Sequence, residues 1–200
     1  MTHRIRTLHF LGAALFALSL LGCVPSPPEF KNTDLTGADC CKDFRLTDHK
    51  GQTRTLADFR GKAVVVFFGY TQCPDVCPTT MMELTAVLQQ LGKDAPRVQV
   101  LFITVDPERD TRELLSNYVP AFDPSFIGLY GDLETTAKTA KEFRVFYQKQ
   151  PGSTPGSYTV DHTAGSYVFD PQGRVRLFAR YGDGGANLAA DLRVLLKEAK

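Results

Sequence analysis

The chain has 200 residues, of which 43% are hydrophobic and 22% are charged, and its formal net charge is +1. These values are ordinary for a single globular domain that buries a substantial core. The sequence contains neither a basic stripe nor a zinc-finger spacing, which argues against a nucleic-acid partner.

The first 22 residues have the pattern of a cleaved secretory signal peptide. Arg4 and Arg6 precede an apolar stretch from Phe10 to Leu21, which is followed by Gly22 and Cys23. The run LLGC at this point resembles the lipobox of bacterial lipoproteins, whose cysteine is lipidated and becomes the new N-terminus. Because the apolar stretch is shorter than the roughly 20 residues that span a bilayer, we favour lipidation of Cys23 over an uncleaved membrane helix.

A proline-rich, polar segment comes next, and we predict that residues 23–36 form a lipidated tether for a domain over residues 37–200. In an extended conformation, the stretch from Val24 to Asp34 would reach roughly 30 Å from a membrane surface. Disulfides persist outside the cytoplasm, so the cysteines after Cys23 can exist there as thiols, disulfides or metal thiolates. We therefore expect a lipid-anchored protein of the bacterial cell envelope, with its domain in the periplasm.

Two adjacent cysteines, Cys40 and Cys41, lie near the start of the predicted domain. Three interpretations remain open for them, namely small buried residues, a strained vicinal disulfide, or an additional thiol site, and we favour the first. A β-hairpin is predicted next, around the turn from Asp48 to Gly51. Its polar composition predicts that His49 is solvated.

The stretch from Ala63 to Leu91 organises the rest of the chain. Its first residues, as far as Phe68, are apolar and rich in β-branched and aromatic side chains, which predicts a central strand covered on both faces. Proline is tolerated in the first turn of a helix, so we expect a helix to begin at Pro78 with Cys77 at or near its cap. Cys73 and Cys77 therefore lie between a buried strand and a helix N-terminus, where unpaired N–H groups and the helix dipole favour thiolate.

The second half of the chain alternates predicted strands and helices. Strands are expected at Val98–Val105, Phe126–Tyr130, Val145–Gln148 and Arg174–Tyr181, with Tyr158–His162 leading into Ser166–Phe169; helices are expected at Asp110–Val119, Asp132–Phe143 and the C-terminus. A proline- and glycine-rich loop is expected from Gln150 to Ser157. The order predicts a thioredoxin-like α/β fold, with helices on both faces of a mixed sheet and an N-terminal β-hairpin.

Finer features follow from the same patterns. Asp110 with Glu113 is a plausible cap pair, and the loop from Asp106 to Asp110 is either a simple connection or a surface that faces a partner. The last strand is expected to have one wet face that carries its arginines. One face of the predicted Asp132–Phe143 helix is expected to carry Leu133, Ala137, Ala140 and Phe143. Sites in open α/β sheets lie beyond the carboxyl ends of the strands, where the cysteine loop and the loop after Val105 would meet.

Three motifs, GYTQCPDVCPTT, ITVDPERDT and VDHTAGSYVFDPQG, occur in this order, and the family resemblance that they carry covers nearly all of the segment from Gly37 onward. Together they resemble the Sco/SenC family of copper-binding thioredoxin-fold proteins. The resemblance implies a membrane-tethered copper protein that helps to assemble the dinuclear copper (CuA) centre of cytochrome c oxidase. It also implies that copper is bound by Cys73, Cys77 and His162.

The residue types agree with this implication. Thiolates select Cu(I) over harder ions, and imidazole suits Cu(I) and Cu(II) alike. A structural zinc site is disfavoured because such sites normally have four ligands. Asp161 is a candidate to orient the imidazole of His162, and Asp75 is a candidate to tune the cysteines or to contact a partner. We also expect metal binding to order residues 150–162.

The preferred function is therefore that of a monomeric copper metallochaperone. A periplasmic donor would load it, and the copper-receiving subunit of cytochrome c oxidase would accept the ion. The alternative is an extracytoplasmic thiol–disulfide oxidoreductase, in which Cys73 attacks and Cys77 resolves the mixed disulfide. The three-residue spacer and His162 favour metal binding, although the two roles are compatible. A peroxiredoxin-like peroxidase is disfavoured because Phe67 occupies the position where that pattern has proline.

Overall fold

The structure is a computed structural model that describes residues 28–198. The predicted signal peptide over residues 1–22 and the predicted lipidation site at Cys23 lie outside the described residues. Within residues 28–198, none of the helices combines the length and the apolar character that crossing a bilayer requires.

The described part of the chain contains ten strands and four α-helices. The strands are β1 Thr33–Asp34, β2 Leu46–Asp48, β3 Thr53–Arg54, β4 Ala63–Gly69, β5 Val98–Thr104, β6 Ile127–Tyr130, β7 Tyr147–Pro151, β8 Tyr158–His162, β9 Gly165–Phe169 and β10 Val175–Arg180. The helices are α1 Val76–Leu91, α2 Arg112–Tyr118, α3 Leu133–Glu142 and α4 Gly185–Glu198, with short 3-10 helices at Leu56–Phe59 and Gly92–Arg97.

A mixed sheet of eight strands forms the centre of the domain, in the order β1-β10-β9-β4-β5-β6-β2-β3. Strands β4, β5 and β6 run parallel, and the remaining pairs in the sheet are antiparallel. Every residue of β4 and β5 is buried, as their apolar runs predict. The strands β7 and β8 form a separate antiparallel hairpin outside this sheet.

Helices cover both faces of the sheet, as the element order predicts. Successive side chains of a strand point to opposite faces, so Phe67 and Phe68 lie on opposite faces of the sheet. Phe68 packs against Phe143, directly after α3, with ring centroids 5.2 Å apart. A Cβ placed on Gly69 would approach both Phe67 and Cys77, so α1 lies on the other face.

The domain begins before residue 37, which corrects the predicted tether. The backbone N–H groups of Lys31 and Asn32 each donate to the carboxylate of Asp191, at 2.9 Å. Strand β1 then pairs with β10, and Phe30 and Leu35 pack against the core. Residues 30–35 are therefore held against the domain, because Lys31 and Asn32 satisfy the carboxylate of Asp191, which is only 1% exposed, and β1 adds a strand to the sheet.

The buried face of α3 differs from the predicted one. Its buried residues are Thr136, Thr139 and Ala140, with Phe143 at the C-cap. Leu133 is 58% exposed and Ala137 is exposed as well, so the prediction was wrong for these two residues. The hydroxyl of Thr139 donates to the carbonyl of Thr135 at 2.9 Å, which lets a threonine occupy a buried position.

Two polar side chains that were predicted to be solvated are buried. His49 is 6% exposed, and its Nδ1 accepts the N–H of Gly128 at 3.0 Å. Burial lowers the pKa of His49. Arg176, on the face of β10 that was predicted to be wet, is 8% exposed and forms ion pairs with Asp170 and Glu198. Both side chains find partners in distant segments, which offsets the cost of their burial.

Candidate metal centre

The two motif cysteines lie where β4 passes into α1. The helix begins at Val76 with Asp75 as its N-cap residue, two positions earlier than predicted, and Pro78 occupies its first turn as expected. Cys77 is completely buried and Cys73 is half-buried. The backbone N–H of Cys77 donates to Sγ of Cys73 at 3.4 Å, so the first turn of the helix already holds the two cysteines together.

His162, the last residue of β8, meets these sulfurs. Its Nε2 lies 3.3 Å from Sγ of Cys77. The ligand atoms of Cys73, Cys77 and His162 all lie within 4.8 Å of one another, and this is the only group of three or more potential metal ligands in residues 28–198. The fold therefore brings together the three residues that the family resemblance implies.

The hydrogen bond of the other ring nitrogen orients the imidazole. Nδ1 of His162 lies 3.1 Å from the carbonyl oxygen of Thr163, which can only accept, so Nδ1 carries the proton. Nε2 then presents its lone pair to the sulfur of Cys77. The predicted orienting role of Asp161 was wrong, because its carboxylate accepts from the side chain of Gln150 at 3.0 Å instead. The sequence gives no signal for Thr163, since the contact uses its backbone.

Aromatic side chains surround the imidazole. The rings of Phe67 and Tyr70 each pack edge-on against it, with centroids 6.0 Å away. Burial raises the pKa of the Cys77 thiol and lowers the pKa of His162, so both groups are neutral near pH 7. The predicted preference for thiolate at Cys77 is therefore outweighed by desolvation.

The loop after β5 holds the hairpin that carries His162. The hydroxyl of Tyr158 donates to the fully buried carboxylate of Asp106 at 2.8 Å, and Arg109 forms an ion pair with the same carboxylate. The guanidinium of Arg109 also lies 3.5 Å from the centre of the Tyr158 ring and donates to the Tyr158 carbonyl oxygen at 2.8 Å. These residues form a clamp on β8, so this loop is more than a simple connection.

The buried carboxylate of Asp110 anchors the start of the cysteine loop through hydrogen bonds. It is 1% exposed and accepts hydrogen bonds from the N–H of Thr71 at 3.1 Å and from the hydroxyls of Thr71 and Thr104 at 2.6 Å each. Its predicted role as a helix cap was wrong, because Thr111 caps α2 by accepting from the N–H of Leu114. The sequence signal for this contact was the place of Asp110 in the second motif, in the loop that follows β5, the strand next to β4.

The site opens into a cleft of about 420 Å³. Its lining includes Tyr70, Cys73, Pro74, Thr159, His162 and Ala164. Asp75 also lines it, with an exposed carboxylate that accepts from the hydroxyl of Thr79 at 3.4 Å. A small group on a partner protein can therefore approach the sulfur of Cys73 and the ring of His162.

The donor set suits a soft metal ion. With metal–sulfur distances of about 2.3 Å and metal–nitrogen distances of about 2.0 Å, ligands of one ion lie no more than roughly 4.6 Å apart. The observed cluster has this scale, so one ion fits after small side-chain shifts. Two sulfurs and one imidazole favour Cu(I), and no fourth acidic, histidine or cysteine ligand joins the group in the described residues, as structural zinc would require.

The fold and the site together define a thioredoxin-like protein with a metal centre of two cysteines and one histidine. The SCO1/SenC family model matches residues 32–197, and the chain belongs to this family. It is 44% identical to the mitochondrial SCO2 homologue of Bos taurus over 141 residues, which are 70% of this chain and 52% of the relative. It is 35% identical to the mitochondrial SCO1 homologue of Homo sapiens over 162 residues, which are 78% of this chain and 54% of the relative. The chain thus spans about half the length of these curated relatives.

Solved structures of similar proteins agree with this assignment. Bradyrhizobium japonicum ScoI with copper bound has a TM-score of 0.70 and 44% identity, covering 77% of this chain and 98% of that structure. Apo Sco1 from Thermus thermophilus has a TM-score of 0.74 and 41% identity, covering 86% of this chain and 99% of that structure. Yeast Sco1 with copper bound has a TM-score of 0.70 and 31% identity, covering 78% and 87%. The predicted family and the predicted thioredoxin-like fold are both confirmed.

Proposed function

We propose that this protein is a copper metallochaperone that binds one copper ion through Cys73, Cys77 and His162. The observation that carries the proposal is the convergence of three soft donor atoms within 4.8 Å, beside an open cleft. The copper-bound structures of similar ScoI and Sco1 proteins support the choice of metal. We also propose that it serves the CuA centre of cytochrome c oxidase, the role that membership of the SCO1/SenC family implies.

Copper is the cargo in this proposal, and the ligands differ in how firmly they are held. Cys73 and Cys77 lie on the connection between a buried strand and a long helix. His162 lies on a two-stranded hairpin that the clamp of Asp106, Arg109 and Tyr158 holds in place. Release of this hairpin would vacate one coordination position, which a ligand from the acceptor can take through the cleft. The acceptor is the copper-receiving subunit of cytochrome c oxidase, and a periplasmic donor supplies the ion.

The cellular setting is part of the proposal. The leader over residues 1–22 would be removed, and lipidated Cys23 would anchor the protein in the membrane of the bacterial envelope with the domain in the periplasm. Curated relatives include mitochondrial proteins and a SCO2-like protein of Rickettsia felis. Labelling with a radioactive fatty acid tests the anchor, since a Cys23→Ser variant would then carry no label.

The variant His162→Ala tests copper binding directly. We expect it to remove the thiolate-to-copper charge-transfer absorption of the Cu(II) protein and to weaken binding by at least about 100-fold, the upper range for the loss of an outer-shell partner. The matched control is Asp161→Asn on the same strand, whose side chain contacts Gln150 and should leave binding unchanged. Wild-type absorption and affinity in His162→Ala would refute the proposed ligand set.

A second candidate function is thiol–disulfide exchange at the same pair. The accessible Cys73 would attack, and the N–H of Cys77 would stabilise its thiolate, while the buried Cys77 would resolve the mixed disulfide. This activity does not need the imidazole. A His162→Ala variant that keeps its exchange rate and still supports oxidase assembly would favour the reductase, whereas loss of assembly with an intact exchange rate would favour copper delivery.

Metal binding should also order the hairpin. Because His162 would be tied to the cysteines by the ion, amides in residues 150–162 should exchange more slowly with copper than without it. Hydrogen exchange read by mass spectrometry measures this, and equal protection in the two states would contradict the idea.

A further inference from the structure

A second pair of thiols lies outside the metal centre. Sγ of Cys41 is 2.8 Å from Sγ of Cys40. Cys41 is 1% exposed, whereas Cys40 is half-buried and reachable from solvent. Cys41 also has a φ of 59°, a left-handed conformation that is unfavourable for residues other than glycine.

Contacts with the end of α3 hold this pair in place. The backbone N–H of Cys41 donates to the carbonyl oxygen of Glu142 at 3.0 Å, and the N–H of Lys42 donates to the Glu142 carboxylate at 2.9 Å. On the other side, the guanidinium of Arg144 donates to the carbonyl oxygen of Asp39 at 3.0 Å. These hydrogen bonds fix the backbone on both sides of the two cysteines, and the two sulfurs remain in contact.

Neither a metal site nor simple core filling accounts for this arrangement. Within residues 28–198, no third metal-binding side chain joins Cys40 and Cys41 in a group. Core filling explains a buried Cys41 but not a solvent-reachable Cys40 in contact with it. We propose that Cys40 and Cys41 form a second redox site, separate from the metal centre. The pair would be oxidised to a vicinal disulfide by exchange with an incoming disulfide, either of a protein or of a small-molecule thiol in its oxidised form.

The exchange takes two steps, and Cys40 acts first because it is accessible. The Cys40 thiol loses its proton to solvent, and its sulfur bonds to one sulfur of the incoming disulfide while the other leaves as a thiolate. Cys41 then loses its proton and attacks Sγ of Cys40, which releases the second thiolate. Two electrons pass to the incoming disulfide, and its two thiolates take up two protons. Burial raises the pKa of the Cys41 thiol, so Cys41 stays protonated in the first step and leaves the attack on the incoming disulfide to Cys40.

The closed form would be readily reduced again. Consecutive Cα atoms lie about 3.8 Å apart, which is below the roughly 4.4–6.8 Å that disulfides usually span. Disulfides outside the usual geometry are more easily reduced, and such bonds serve labile rather than structural roles. The pair is therefore suited to carrying two electrons reversibly.

The position of the pair keeps it apart from the copper ligands. Cys41 is hydrogen-bonded to Glu142 at the end of α3, which lies on the side of the sheet to which Phe68 points. Cys77 lies in α1 on the opposite side. Oxidation at Cys40 and Cys41 would therefore consume none of the proposed copper ligands. This inference does not depend on the proposed copper function.

The test uses the full chain carrying Cys73→Ser and Cys77→Ser, treated with excess 2,2′-dithiodipyridine, alkylated under denaturing conditions and digested with trypsin. Residues 32–42 form one tryptic peptide that contains both thiols. We expect this peptide to have lost two hydrogen atoms and to carry neither a thiopyridyl nor an alkyl group. A peptide with thiopyridyl groups, with alkylated thiols, or cross-linked to another cysteine peptide would overturn the proposal.

Two further variants complete the test. Cys41→Ser lacks the second thiol, so Cys40 should retain one thiopyridyl group; its absence would contradict the assignment of Cys40 as the attacking residue. The double variant Cys40→Ser and Cys41→Ser, with the motif cysteines intact, should bind copper with wild-type stoichiometry and absorption. A change in either would contradict the separation of the two sites, whereas failure of wild-type copper binding would concern the proposed function alone.

Discussion

Replacing Gly69 with alanine should displace the sulfur of Cys77 and so disturb the metal centre. A Cβ at this position, the last residue of β4, would lie 3.0 Å from Sγ of Cys77, 2.9 Å from Cε1 of Phe67 and 3.0 Å from Cε2 of Phe102. All three side chains are 0% exposed, so none can move aside into solvent. The added methyl group therefore forces the sulfur and the two rings to shift by tenths of an ångström.

Overpacking a core in this way costs about 1–3 kcal/mol. For a domain of this size, each kcal/mol lowers the melting temperature by about 2–4 °C, so we expect a decrease of about 2–12 °C. Because a copper ligand is among the displaced atoms, the charge-transfer absorption of the copper-loaded protein should shift in energy as well. Thermal unfolding followed by circular dichroism and absorption spectroscopy measure the two effects.

Gly128→Ala is the matched control. A Cβ there would lie 3.0 Å from Cγ2 of Val119 and 3.4 Å from Nδ1 of His49, so a similar crowding arises in β6 without touching a metal ligand. This variant should lose thermal stability but keep the wild-type absorption. The reasoning is refuted if Gly69→Ala melts and absorbs like the wild-type protein, or if both variants change the absorption equally.

Three other outcomes follow from the structure. Tyr158→Phe removes a hydrogen bond to the buried carboxylate of Asp106, worth about 1.5–3 kcal/mol, so equilibrium titration should show copper affinity falling by at most about 150-fold with all ligands present. Because the Cys77 thiol is neutral, calorimetry in buffers of different ionisation enthalpy should detect proton release on copper binding at pH 7, and an affinity that does not fall on acidification would contradict this. Burial opposes the ionisation of Asp48, but hydrogen bonds from two backbone N–H groups and Arg54 outweigh it and lower its pKa. The resulting stability is present above the ordinary value of 3.8 and is lost as the pH falls through the lower folded value, so urea unfolding of Asp48→Asn should show a shallower acid dependence than wild type.

The central strands and the cysteine loop could be predicted from local patterns. The apolar runs that became β4 and β5 contain only buried residues, and α1 presents its leucines at helical spacing. Proline in the first turn placed the start of α1 to within two residues. These signals are local because a strand or a helix depends mainly on residues a few positions apart.

The buried polar residues could not be predicted in this way. His49 and Arg176 were predicted to be exposed, and Thr136 and Thr139 were not on the predicted apolar face of α3, yet these four residues are buried. The burial of His49 and Arg176 is stable because partners arrive from other segments of the chain, such as Gly128 for His49 and Glu198 for Arg176, whereas the hydroxyl of Thr139 bonds within its own helix. The exposed Leu133 shows the same limitation, since an apolar residue in a helix does not by itself determine which face packs.

The sequence by itself determined the two sulfurs, their spacing and their place at the start of a helix, because those depend on neighbours along the chain. The approach of His162, 85 residues beyond Cys77, entered only through the family resemblance. Only the tertiary structure decided that the carbonyl of Thr163 orients the ring, that burial keeps the Cys77 thiol neutral, and that Cys40 and Cys41 touch. Each of these depends on which distant surfaces pack together and exclude water, and no local pattern of residues encodes that packing.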